Sequence, residues 1–373
     1  MSEAITRQVG PRAAKRALKR AFKAKRPVFL WGPPGIGKSD VIKQIGQDLD
    51  AHVIDIRLSL WDPTDIKGVP FFNSETSKME WAPPSELPDE GMAARHDKIV
   101  LFMDEMNSAA PAVQAAAYQL ILNRRVGTYQ LPNNVLLVAA GNREADKGVT
   151  YRMPAPLSNR FVHLEMRVDF DDWSNWATTP RVHSEFGEGY REHKDVVGFL
   201  TFSKKDLYDF DPKSSSRAFA TPRSWAFVSE LLADNDEDES TLTDLVAGAI
   251  GEGLAVKFMA HRKVASKLPN PSDILKGKVK KMDTKEISAM YSLTVSLCYE
   301  LKDACDKDAK DWNEQVNHFF RFIMDNFETE LVVMGTKLAL TQYQLPLDPD
   351  EIDCFDEFHT KFGKYIAAAT DRH

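Results

Sequence analysis

The run Gly32-Pro33-Pro34-Gly35-Ile36-Gly37-Lys38-Ser39 matches, without a mismatch, the spacing by which a glycine-rich loop wraps a phosphate chain. Glycines let backbone N–H groups turn inward around an anion, and the N-terminus of a following helix adds partial positive charge. Lys38 is suited to bridge the β- and γ-phosphates of ATP, and Ser39 to hold Mg²⁺ through its hydroxyl. About 65 residues later the apolar run Ile99–Met103 ends in Asp104-Glu105. Carboxylates at that position emerge at the carboxyl ends of a parallel sheet, where ligands bind in open α/β folds. Asp104 suits the outer sphere of Mg²⁺, and Glu105 suits polarisation of an attacking water as general base. The pair points to hydrolysis rather than nucleotide binding alone.

Three further positions have weaker signatures. The run Val135–Ala140 leads into Gly141-Asn142, and an amide there could touch both the γ-phosphate and the water; the plainer role is a turn cap. Leu157-Ser158-Asn159-Arg160-Phe161 puts Arg160 just before a strand, beyond easy reach of its own phosphate loop. Such an arginine could serve a neighbour's γ-phosphate or form a surface salt bridge, and Arg143 and Arg152 compete for the role. In Thr221-Pro222-Arg223-Ser224-Trp225, Thr221 is a good N-cap and Pro222 fits the first helical position. Arg223 then opposes the helix dipole in the first turn, a local misfit expected of a nucleotide-sensing residue.

These residues need a scaffold. Residues 27–166 alternate short apolar runs with helical segments, the pattern of a parallel α/β sheet. The expected strands are Val28–Trp31, His52–Ile56, Ile99–Met103, Val135–Ala140 and Phe161–Met166. The helix after the phosphate loop has Val41, Ile42, Ile45 and Leu49 on one face. Residues 10–26 are basic and helix-prone, read as a solvated helix or, alternatively, a patch for an anionic partner. The expected division is a core over 1–169, a helical lid over 170–265 and a helical extension over 266–373. Trp173, Trp176, Phe199 and Phe202 fall at helical spacing and read as lid core rather than a base-stacking platform, and Asp234–Glu239 as a solvated acidic loop.

Composition sets outer bounds. The chain has 373 residues, 43% hydrophobic and 28% charged, with a net charge of −7. That charge argues against nonspecific nucleic-acid binding as the main task, though not against a local basic patch. No apolar stretch approaches the ~20 residues of a membrane span, and the N-terminus lacks the order of a signal peptide. Three scattered cysteines, Cys298, Cys305 and Cys354, form neither a disulfide framework nor a metal site, so a cytoplasmic location is expected. His52, His96, His163, His183 and His193 form no metal or triad constellation.

Taken together, these motifs resemble the AAA+ ATPase superfamily and, within it, the MoxR-like ATPases. The resemblance covers roughly residues 25–166 and extends through the TPRSW helix to about 265. It assigns Asn142 to the sensor 1 position, Arg160 to the arginine finger and Arg223 to sensor 2. Val69-Pro70-Phe71-Phe72 and Met79-Glu80-Trp81, around a polar turn, look like the hairpin inserted in helix 2 of that clade; Phe71 and Phe72 are expected exposed at its tip. Arg125–Leu131 occupies the place of the presensor hairpin. The resemblance implies a five-stranded sheet in the order 5-1-4-3-2 followed by a helical lid. It also implies a homo-oligomeric, usually hexameric, ring with ATP and Mg²⁺ at subunit interfaces, and chaperone-like remodelling of a protein partner, such as one with a von Willebrand factor A domain. A nucleic-acid motor or loader is the alternative activity.

Overall fold

Strands that bury both faces read as continuous apolar runs, and three such runs occupy the middle of the sheet seen in the computed structural model. The structure describes residues 7–127, 129–146, 150–181, 190–233, 238–282 and 286–370; His183 and the first four residues of the acidic run lie outside them. The chain divides into two units, Met1–Asp169 and Phe170–His373.

The first unit runs β1 (Gln8–Val9), α1 (Pro11–Lys23), β2 (Val28–Trp31), α2 (Lys38–Leu49), β3 (His52–Arg57), α3 (Pro63–Lys67), β4 (Val69–Asn73), β5 (Lys78–Ala82), α4 (Glu90–Arg95) and β6 (Ile99–Asp104). It continues with α5 (Pro111–Asn123), β7 (Arg125–Val126), β8 (Tyr129–Gln130), β9 (Val135–Gly141), α6 (Ala155–Ser158) and β10 (Val162–Met166). The main sheet is parallel, in the order β1-β10-β2-β9-β6-β3. The expected five-strand order is therefore present as β10-β2-β9-β6-β3. The count needs correction: β1 adds a sixth strand, pairing Gln8 with Glu165 and Val9 with Met166. A two-residue strand followed by Gly10 and Pro11 is too short to show a periodicity.

α1 starts at Pro11, whose missing N–H costs nothing at a helix start. It buries Ala14, Leu18 and Phe22, spaced by four residues, and leaves its charges outward. On the opposite side of the sheet, α5 packs Val113, Ala117 and Leu120 against Phe29, Leu101 and Leu137, all within one buried cluster. Each large side chain buried there contributes roughly 1.5–3 kcal/mol.

β4 and β5 form an antiparallel hairpin in the segment where one was expected, with Phe72 opposite Met79 and Pro70 opposite Trp81. Opposed residues share a face, so these four make one apolar side. Phe71 is 44% and Phe72 63% exposed, as anticipated, but both lie in the strand rather than in the turn. β7 and β8 form the second expected hairpin.

The second unit is helical: α7 (Phe170–Thr178), α8 (Lys194–Phe202), α9 (Pro222–Ala233), α10 (Glu239–Ile250), α11 (Glu252–Ala265), α12 (Pro271–Leu275), α13 (Ile287–Asp306), α14 (Trp312–Asn326), α15 (Thr329–Lys337) and α16 (Phe355–Thr370). The division expected after residue 265 falls inside this unit, because α8 packs along α13. Their backbones approach so closely that a Cβ on Gly198 would come within 2.5 Å of Ser292 Oγ. Phe199, Trp225 and Phe258 form an aromatic centre with ring centroids 5.5–5.6 Å apart. Of the aromatics read as lid core, Trp173 and Phe199 are buried, whereas Trp176 carries Arg181 on its face and Phe202 is 45% exposed. No helix among the described residues is long and apolar enough to cross a membrane.

Candidate active site

The glycine-rich loop joins β2 to α2, and its backbone explains its composition. Gly35 and Gly37 have φ values of 73° and 86°, in the left-handed region that glycine enters without strain. Gly37 caps α2, so the N–H groups of the first turn face the loop. The register Leu30↔Ala140 and Trp31↔Gly141 sets the ends of β2 and β9 side by side. Lys38 Nζ accordingly donates to Gly32 O at 2.7 Å, Pro33 O at 3.0 Å and Asn142 Oδ1 at 2.9 Å. The three acceptors hold the ammonium over the loop.

Ser39 Oγ donates to Asp104 Oδ2 at 2.9 Å. The other Asp104 oxygen accepts from Glu105 N–H at 2.8 Å, so this buried carboxylate is fixed at both ends. Glu105 itself has φ 53°, an uncommon conformation for a side-chain-bearing residue. Its carboxylate accepts a short hydrogen bond from Ser59 Oγ, and Arg57 Nε lies 3.8 Å from the other oxygen. Asp55, on β3 next to β6, is pushed above the usual carboxylate range by burial and by the charge of Asp104.

Asn107, in the turn after β6, is buried and donates from Nδ2 to Asn142 O at 2.7 Å. Its own backbone carbonyl accepts from Tyr151 N–H. A Cβ at Gly141 would meet Asn107 Oδ1 at 2.1 Å, so only glycine allows this approach. Asn107, Ser59 and Arg57 were not anticipated. Their roles rest on contacts between segments distant in sequence, and the only signal for Asn107 was its place after the acidic strand.

The arginines separate cleanly. Arg143 is committed within its own unit, to Asp146 Oδ1 at 2.9 Å and Glu165 Oε1 at 3.3 Å. Arg160 is exposed in the turn before β10, next to the start of β9 and the end of α5, away from Lys38. Arg152 is exposed. Arg223 is exposed in the first turn of α9, where Thr221 Oγ1 accepts from Ser224 N–H as the cap. The structure thus brings together Lys38, Ser39, Asp104, Glu105 and Asn142, and leaves Arg160 apart from them. His163 accepts from Trp31 Nε1 through Nδ1 at 2.8 Å, His52 stacks on His96 at 4.4 Å, and His193 caps α8. No cluster fit to hold a metal through His, Cys, Asp and Glu alone occurs among the described residues.

Residues 27–163 match the family model described as "ATPase family associated with various cellular activities (AAA)". This segment is an AAA-type ATPase domain. Nucleotide binding and ATP hydrolysis are the general activity of such domains. The chain also shows distant similarity to solved structures. A putative ATPase from Cytophaga hutchinsonii is 13% identical, with 90% of this chain and 82% of that chain covered and a TM-score of 0.33. The Thermotoga maritima RuvB Holliday junction branch migration motor is 20% identical over 78% of this chain and 82% of that one, with a TM-score of 0.34. NtrX from Brucella abortus in complex with ATP is 14% identical over 85% and 64%, with a TM-score of 0.39.

Proposed function

We propose that the protein is a Mg²⁺-dependent ATPase of the MoxR-like type that works as a ring, hexameric by family resemblance, and remodels a protein partner. The observation that carries the catalytic part is the convergence of Lys38 with Asn142 and of Ser39 with Asp104, with Glu105 next in the chain. A hydroxyl and a carboxylate oxygen in contact are a donor set suited to a hard divalent cation, so Ser39 and, through water, Asp104 would hold Mg²⁺. The cation supplies charge neutralisation for the phosphates when bound. The loop N–H groups, from Gly35 to Ser39, would cradle the phosphate chain, and Lys38 would trade its carbonyl partners for phosphate oxygens. Asn142 and Glu105 would orient the water, Glu105 taking its proton.

Remodelling of a protein partner, a von Willebrand factor A domain protein among the candidates, rests on the resemblance and on the exposed apolar side of the β4–β5 hairpin. A cytoplasmic setting fits three free cysteines, two of them buried. Lys38→Ala should abolish binding of a fluorescent ATP analogue and all turnover. Glu105→Gln should still bind ATP while hydrolysis falls at least ~10²-fold, the scale of a lost general base. Turnover by Lys38→Ala at the wild-type rate would remove the proposed site. The stalled Glu105→Gln protein is also the bait for capturing the partner, and its failure to retain any protein in ATP would count against remodelling.

A further inference from the structure

Residues 7–26 carry nine of the chain's 48 Lys and Arg and none of its 55 Asp and Glu, which leaves a net −16 on the remaining residues. α1 arranges this charge. With Ala14, Leu18 and Phe22 buried, Arg12, Lys15, Arg16, Lys19, Arg20 and Lys23 fall within about 140° of arc on the outer side of a helix about 20 Å long. Lys19 is paired with Asp48 at 2.6 Å and Lys15 donates to Gln44, which settle that flank against α2. Arg16, Arg20 and Lys23 are different: they and the following Lys25 and Arg26 make no ion pair among the described residues. The row continues past the helix into a cleft of about 220 Å³ lined by Lys25, Arg26, Arg124 and Arg160, with Phe22 and Leu137 as its apolar wall. Arg124 is fixed there by donating to Pro132 O and Val135 O.

We infer that Arg16, Arg20, Lys23, Lys25 and Arg26, without Arg160, form a second binding face, distinct from the nucleotide site, that takes the phosphate backbone of a nucleic-acid duplex. A segment with nine cations and no carboxylate, on a chain otherwise acidic, is the footprint of a polyanion. Interfaces between proteins are depleted in lysine and mix signs at their rims. Phe22 is buried, so this face offers no aromatic platform of the kind that captures unstacked single strands. Contacts confined to phosphates give affinity without sequence preference and a steep dependence on salt.

The test is a salt titration with a fluorescein-labelled duplex DNA of ~20 base pairs, followed by polarisation, using the full chain without nucleotide. The expected slope of log K against log salt is about −4, from four to five neutralised phosphates. Arg16→Glu/Arg20→Glu/Lys23→Glu should weaken binding at least ~30-fold at 0.1 M salt and make the slope shallower by about 3. All three side chains point outward, so the variant should melt within a few degrees of wild type. If it does not, Arg20→Gln/Lys23→Gln serves instead, with a slope change of about 2. Arg16→Lys/Arg20→Lys should bind as wild type does. The inference is overturned if wild type fails to bind the duplex at 0.05 M salt, if the charge-reversed protein binds with unchanged slope, or if a single strand or poly-L-glutamate of equal charge binds as tightly. It is also overturned if charge reversal dissolves an oligomer and leaves duplex affinity untouched, which would assign the face to another copy of the chain. None of these results bears on ATP hydrolysis, so the site reading stands or falls separately.

Discussion

Glu105 is held in a backbone conformation that costs of order 1–2 kcal/mol for a residue with a side chain, and its carboxylate is tied to Ser59. The Ser59 hydroxyl donates to one oxygen of the carboxylate that, in the proposed mechanism, would accept a proton from water, and so would hold back the base. Ser59→Ala should raise basal turnover about three- to tenfold, the scale of one typical net hydrogen bond, with ATP affinity unchanged. Steady-state kinetics decide this, and a fall in turnover would make Ser59 a positioning residue instead. In the proposed mechanism Asn107 would act through Asn142: its amide fixes the carbonyl of the residue whose side chain reaches Lys38. Asn107→Ala should lower turnover about tenfold and leave ATP affinity within about twofold. Single-turnover rates and nucleotide titrations check both parts. At this scale the sequence was legible wherever a motif is local. Lys38, Ser39, Asp104 and Glu105 follow from types and spacing alone. Ser59 and Asn107 could not be read, because their meaning arises only when β3, β6 and β9 lie side by side.

Elements were legible in proportion to the length of their apolar pattern. β2, β6 and β9 follow the expected runs to within a residue, and the α9 cap at Thr221 forms as its residue types require. The way α8, α11 and α13 pack could not be read, since helices of one period pair in many ways. That packing buries His261, whose Nε2 lies 2.8 Å from Ser292 Oγ. Burial lowers the His261 pKa below 6.5, against the opposing pull of Asp195 and Glu286, and burial likewise lowers His193. Because the folded pKa lies below the unfolded one, this contribution to stability is complete above about pH 6.5 and is lost as pH falls toward the folded value. The melting temperature of the second unit should therefore drop between about pH 7.5 and pH 5.5, and His261→Gln should narrow the drop. Differential scanning calorimetry at both pH values measures this; a gap unchanged by the substitution would assign the acid sensitivity elsewhere.

For the whole molecule, the position of Arg160 is the feature with most bearing on assembly. It lies away from Lys38 in its own unit, and Arg143 is committed to Asp146 and Glu165. If the ring reading holds, Arg160→Ala should bind ATP normally while turnover falls about 10³-fold, the scale of a finger supplied in trans. Mixing it with Lys38→Ala subunits should restore part of the activity, at interfaces where an intact loop meets an intact arginine. Confirmed mixed rings without rescue would leave Arg160 structural and Arg152 the next to test. The family match begins at residue 27, yet the sheet it describes is not finished there. β1 hydrogen-bonds along β10, extended by Arg167 N–H to Val9 O at 3.0 Å, and α1 lays Leu18 and Phe22 into the core. A fragment covering only 27–169 would keep the pairing of β10 with β2 but leave its outer edge at Glu165–Arg167 without β1, with an apolar hollow beside it, an open template for strand addition between molecules. Such a fragment should come out as aggregate, whereas one starting at residue 7 should remain in solution.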